Sequence, residues 1–104
     1  MGDRMKVMAD YDCYPIWSSD EDGYRNLDPM ELAISFELQE QLLEWSQRYD
    51  SILDREDPQR SGFATGAEET SFDIQGRSLA VALRAELGEP IAYFSLISRQ
   101  LEDV

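Results

Sequence analysis

Apolar positions along the chain repeat with two different periods. In "SFELQEQLLEWSQRYDSIL", Leu38, Leu42, Trp45, Tyr49 and Ile52 recur at intervals of four, three, four and three. That spacing predicts one face of an amphipathic helix from about Ser35 to Leu53. Glu37, Glu40, Glu44 and Gln47 fall away from that face. Phe72, Gly76, Leu79, Leu83 and Leu87 repeat the pattern and predict a second helix ending at Gly88. "TGAE", Thr65 to Glu68, has the form of a capping box at its start. Glycine costs about 1 kcal/mol against alanine in an exposed helix interior, so Gly76 predicts a close approach by another element.

The remaining apolar runs are β-prone. "MKVMADYDCYPIW" opens around Val7 and predicts a strand ended by Pro15. "SSDEDG" predicts a loop, and "YRNL" a short second strand that would complete a hairpin. "DPME" has the form of another capping box, with Asp28 as N-cap, Pro29 at the first helical position and Glu31 at the third. "DREDPQRSGF" turns the chain through Pro58 and Gly62. "IAYFSLI", Ile91 to Ile97, follows Pro90 and predicts a strand buried on much of its surface. Residues 1–4 and 98–104 are expected to fray.

Together these elements predict one α+β domain over residues 1–104. Two antiparallel amphipathic helices cover one face of a small two- to three-stranded sheet, in the order β-(β)-α-α-β. A chain of 104 residues buries roughly 60–70% of its unfolded surface, enough for one core. Two strands alone are marginal, so a third strand, the helix layer or a second chain must support them.

Charge narrows the functions. The chain holds 22 acids and 9 bases, net −13. From Asp10 to Asp57 there are 14 acids and 3 bases; from Pro58 onward there are 7 acids and 4 bases. Nucleic acid and anionic membrane need cationic surface, so neither is expected as a direct partner. A basic protein is, because complementary fields speed association. No apolar run approaches the ~18 residues of a membrane span, and a single cysteine forms no internal disulfide. A cytoplasmic protein is expected.

Catalytic and metal chemistry find little support. The chain has no histidine, which removes Ser–His–Asp and Cys–His nucleophile systems and most zinc sites. Ser18, Asp20, Asp22 and Gly23 fall at positions 1, 3, 5 and 6 of a calcium-loop pattern, but Pro29 stands where a bidentate glutamate is needed. Cys13 lies beside Asp10 and Asp12, which disfavour a thiolate, and is expected to be buried and unreactive. No enzyme activity, cofactor or metal is predicted.

What remains is a binding surface. Glu37, Glu40 and Glu44 share one side of the first predicted helix, and Arg48 offsets only part of their charge. Asp50, Asp54, Glu56 and Asp57 crowd its C-terminus, where the helix dipole prefers cations. Asp20, Glu21 and Asp22 form an acidic loop flanked by Trp17 and Tyr24, aromatics of the kind that anchor interfaces. The partner-binding candidates are therefore Trp17, Asp20, Glu21, Asp22, Tyr24, Glu37, Glu40, Glu44, Asp54, Glu56 and Asp57.

"ADYDCYPIW", "NLDP", "LLEWSQRYD", "DPQRSGF" and "IAYFS" resemble small acidic bacterial immunity proteins of polymorphic toxin systems, including contact-dependent growth inhibition. The resemblance implies a cytosolic protein that binds one cognate toxin domain, often a basic nuclease, and blocks it. Two other readings share the sequence: a structural homodimer joined through its sheet edge, and an acidic nucleic-acid mimic that binds a DNA-binding protein.

Overall fold

The computed structural model describes residues 4–20, 23–53 and 62–104. It contains strands β1 (Arg4–Val7), β2 (Ile16–Asp20), β3 (Gly23–Leu27), β4 (Ile91–Phe94) and β5 (Leu101–Asp103), with helices α1 (Phe36–Asp50) and α2 (Gly66–Leu87) between β3 and β4. The strands form one mixed sheet in the order β3-β2-β1-β4-β5. β1 runs parallel to β4, and the other neighbours are antiparallel.

The α+β class and the two helices are as expected, but the sheet has five strands where two or three were predicted. Three differences account for this. Pro15 precedes a strand instead of ending one: β1 stops at Val7, and the Pro15 carbonyl accepts the Met8 N–H at 2.9 Å before β2 begins. Ser18 and Ser19 belong to β2, paired with Arg25 and Tyr24 of β3, although their sequence suggests a loop. Neighbouring strands override weak local propensity. The segment expected to fray contains β5, which pairs with β4, and Arg4 of the expected leader opens β1. The run from Ile91 stops at Phe94, because Ser95 opens the turn that brings β5 back; its N–H donates to the Gln100 carbonyl at 3.1 Å.

The helix starts follow their caps. Asp28 accepts the Met30 N–H at 2.9 Å, so "DPME" opens a helix of one 3-10 turn, Pro29–Glu31. α1 has its own cap, Ser35, whose hydroxyl accepts the Leu38 N–H at 3.2 Å. It ends at Asp50, three residues before the predicted end, because Ile52 and Leu53 donate to the carbonyls three residues back and tighten into a turn. Thr65 caps α2 by accepting the Glu68 N–H at 3.1 Å, and Gly88 closes it in the left-handed region at φ 69°.

The helices are antiparallel. Glu86 near the end of α2 accepts from the N–H and hydroxyl of Ser35 at the start of α1, at 2.5 and 2.8 Å. At the other end Arg48 donates to Gln75 at 3.1 Å. Both lie on one sheet face, where Val7, Ile16, Ile91 and Tyr93 join Leu38, Leu42, Trp45, Phe72, Leu79 and Leu83 in the core. Trp45 stacks on Phe72 with 4.5 Å between centroids, and its indole N–H donates to the Phe72 carbonyl at 3.1 Å. A Cβ on Gly76 would lie 2.3 Å from Trp45 and 2.7 Å from Tyr93, which is the close approach the sequence suggested.

Candidate partner-binding surface

α1 turns Leu38, Leu42 and Trp45 inward and leaves Glu37, Glu40 and Glu44 exposed on its solvent face. None of the three carboxylates forms an ion pair among the described residues. Arg48, the one base in the helix, forms no ion pair with Glu44 among the described residues. Its guanidinium donates to Gln75 and lies 5.7 Å from the Phe72 ring. The result is a row of three carboxylates along two helical turns with its nearest base committed elsewhere. Glu37 gains from the N-terminal dipole, while Glu40 and Glu44 repel each other at i,i+4 by a few tenths of a kcal/mol.

The aromatic candidates lie on the opposite side of the molecule. Strand register places Trp17, Asn26, Ser19, Tyr24 and Lys6 on the sheet face away from the helices. Tyr24 is 66% exposed, with the Lys6 ammonium 4.5 Å from its ring centroid. Trp17 is half-buried, and its indole N–H donates to the Met8 carbonyl at 3.2 Å. The candidates chosen from sequence thus divide between two faces: Trp17 and Tyr24 on the bare sheet face, and Glu37, Glu40 and Glu44 on the helix layer. Asp20 ends β2, paired with Gly23. Glu21, Asp22, Asp54, Glu56 and Asp57 lie outside the described residues.

A second acidic group joins the loop after β1 to the end of α1. The Asp50 carboxylate accepts the Asp12 N–H at 2.9 Å, with Asp12 at φ 58° and Asp10 accepting the Tyr11 N–H at 2.8 Å. Tyr11 stacks on Tyr49 at 4.5 Å. Cys13 is half-buried, less enclosed than expected. Burial first, then Asp10, Asp12 and Asp50, push its thiol pKa up from the ordinary value.

The profile of the family described as Serratia CdiI immunity protein-like matches residues 3–95. The chain belongs to that family. No curated protein matches the sequence significantly. The match spans β1 to β4 and stops before β5, so the fifth strand of this CdiI immunity protein-like chain is an element the family match does not cover. Among the described residues no helix is long and apolar enough to cross a membrane, and no group of acids or cysteine is arranged to hold a metal ion.

Sequence reasoning about this immunity protein-like chain missed two features. One is Phe36, which opens α1 at 63% exposure, immediately before the carboxylate row. Its position beside "ELQE" was the available signal. The other is Asp73, a buried carboxylate inside the apolar face of α2. A charged residue between Phe72 and Gly76 was readable, but apart from Arg77 its partners lie twenty or more residues away, on and after β4.

Proposed function

We propose that the protein binds a cognate basic bacterial toxin domain, a nuclease, in the cytoplasm and neutralises it by steric and electrostatic blockade. Family membership supports the immunity role. The observation that carries the docking face is the row Glu37, Glu40 and Glu44, exposed and without an ion pair among the described residues. Exposed carboxylates with no ion pair among the described residues have no partner there to give up when they meet arginine and lysine. A nuclease must offer such bases to hold phosphates, which makes it the natural complement. Binding alone suffices for this mechanism, and no catalytic step is assigned to the chain.

Growth rescue of toxin-expressing cells and association kinetics test the reading together. Wild type is expected to rescue growth and to associate with the toxin domain more slowly as salt rises, by about tenfold or more. The double charge reversal Glu40→Lys and Glu44→Lys is expected to slow association further while leaving the circular dichroism spectrum unchanged. Rescue with a salt-independent on-rate, unchanged by the double variant, removes α1 from the interface.

One observation favours a second reading. β3 is an edge strand with residues 23–26 exposed, and an open edge is a template for pairing with another copy. Sedimentation of the protein alone separates the two: a tight dimer indifferent to the toxin supports edge pairing.

A further inference from the structure

We infer that Phe36 is the apolar anchor of the toxin contact, entering an apolar pocket on a basic surface while Glu37, Glu40 and Glu44 pair with bases around it. This rests on the function proposed above and adds to it the residue that holds the complex together once charge has steered the encounter.

Phe36 is the first residue of α1 and 63% exposed. Four residues on, at about 100° per residue, Glu40 lies roughly 40° away around the helix and one turn up, so ring and carboxylate share one strip of surface. Glu37 follows Phe36 in the chain about 100° around the helix, and Glu44 continues the row from Glu40. The helix start that carries the ring is held in place. Ser35 immediately before it caps α1 through Leu38 and is fixed by two hydrogen bonds from its N–H and hydroxyl to Glu86 of α2. An aromatic on a fixed helix start costs little entropy to dock, and aromatics are enriched in interface cores ringed by polar contacts.

The other exposed aromatics, Tyr14 and Tyr24, and the half-buried Trp17 lie outside α1 and its carboxylate row, Tyr14 in the loop before β2. Tyr24 already has the Lys6 ammonium over its ring, so an approaching cation meets a like charge there. Trp17 is half-buried with its N–H committed to Met8. Ile74 and Val81, apolar and exposed, belong to α2 and not to the helix that carries the carboxylate row. Phe36 alone among these combines exposure, a rigid base and adjacent carboxylates without an ion pair among the described residues. The occupant follows from that combination: an apolar pocket rimmed by arginine or lysine on the toxin.

Kinetics with a catalytically silenced cognate toxin domain distinguish the anchor from the steering charges. Phe36→Ala is expected to accelerate dissociation about 10- to 100-fold, with the association rate and its salt dependence kept within about twofold of wild type. Phe36→Leu should recover part of the lost residence time, because it restores apolar volume. The charge reversals at Glu40 and Glu44 should do the opposite, slowing association. Phe36 buries little surface, so the variants are expected to fold, and superimposable circular dichroism spectra check this. Dissociation of Phe36→Ala at the wild-type rate, with wild-type binding intact, overturns the anchor and leaves the proposed function standing. Failure of the wild type to bind or protect overturns the function and the anchor with it.

Discussion

The Tyr93 hydroxyl donates to the Asp73 carboxylate at 2.8 Å inside the core, joining α2 to the sheet through two side chains that are 0% and 3% exposed. The same carboxylate accepts from the Ser95 hydroxyl at 2.9 Å and the Leu96 N–H at 3.0 Å, and Arg77 lies 3.4 Å away. Arg77 in turn holds Glu102 of β5 at 2.6 Å. One buried acid therefore fixes the end of β4, the turn after it and, through Arg77, the outermost strand. A buried charge is tolerable where every lone pair is used, as here.

Removing that acid should be costly. Asp73→Ala leaves the Tyr93 and Ser95 hydroxyls and the Leu96 N–H without their acceptor, and each unsatisfied buried group costs about 1–3 kcal/mol. Total destabilisation of about 3 kcal/mol or more is expected, read from the midpoint of urea unfolding. Tyr93→Phe removes one donor while leaving the others, and should cost about 1 kcal/mol. Equal midpoints for Asp73→Ala and wild type would mean that the network is not formed in solution.

Gly76 sets a second constraint. Alanine is the better helix former by about 1 kcal/mol, so an uncrowded site would gain from Gly76→Ala. Here the added methyl would meet Trp45 at 2.3 Å and Tyr93 at 2.7 Å, both fully buried rings with nowhere to move. Overpacking of this kind costs about 1–3 kcal/mol. Net destabilisation is expected, with a changed near-ultraviolet dichroism from the displaced indole. A stabilised variant would show that the rings can separate.

The helices were legible in sequence because each carries its own evidence. Leu38, Leu42, Trp45 and Tyr49 mark one face, Ser35 and Thr65 have capping side chains, and Gly88 has the left-handed stop. The sheet was less legible because its evidence is non-local. Ser18 and Ser19 look like a turn until β1 and β3 pair with them on either side. Leu101 to Asp103 look like a frayed end until β4 pairs with them and Arg77 reaches Glu102. The carboxylates of α1 were found from spacing alone. Their separation from Trp17 and Tyr24 was not, because it depends on which sheet face the helices cover. Strand alternation shows that each aromatic points to one face; only the packing of Val7, Ile16 and Tyr93 under the helices says which face that is.

Cys13 offers a check on the acidic loop. Burial, then Asp10, Asp12 and Asp50, raise its thiol pKa, so less thiolate is present at any neutral or mildly alkaline pH. Alkylation by iodoacetamide is expected to be slower in the native protein than in urea, after correction for access using a neutral, pH-insensitive probe. Asp50→Asn removes one of the charges and should speed the native reaction modestly. A native rate above the unfolded rate contradicts the raised pKa.

Alkaline pH tests the aromatic packing at the end of α1. The Tyr49 phenol is pushed up to about 12 from its ordinary value of 10.0, first by burial and then by the stacked Tyr11 and nearby Asp10, with Arg99 acting against them. A folded-state pKa above the unfolded one means that the native state holds the proton more tightly. The associated stability is therefore fully present below about pH 10 and is lost as pH rises from 10 toward 12. Tyr93 is raised as well, by burial and by Asp73, and contributes with the same sign. Wild type should accordingly lose stability steadily above pH 10. Tyr49→Phe has no proton to lose at that position, so its urea midpoint should fall less steeply over the same interval, whatever its stability at pH 8. Comparing the two slopes cancels the general repulsion among the 22 acids, which both proteins share. Parallel slopes would show that Tyr49 ionises as freely in the folded chain as in the unfolded one.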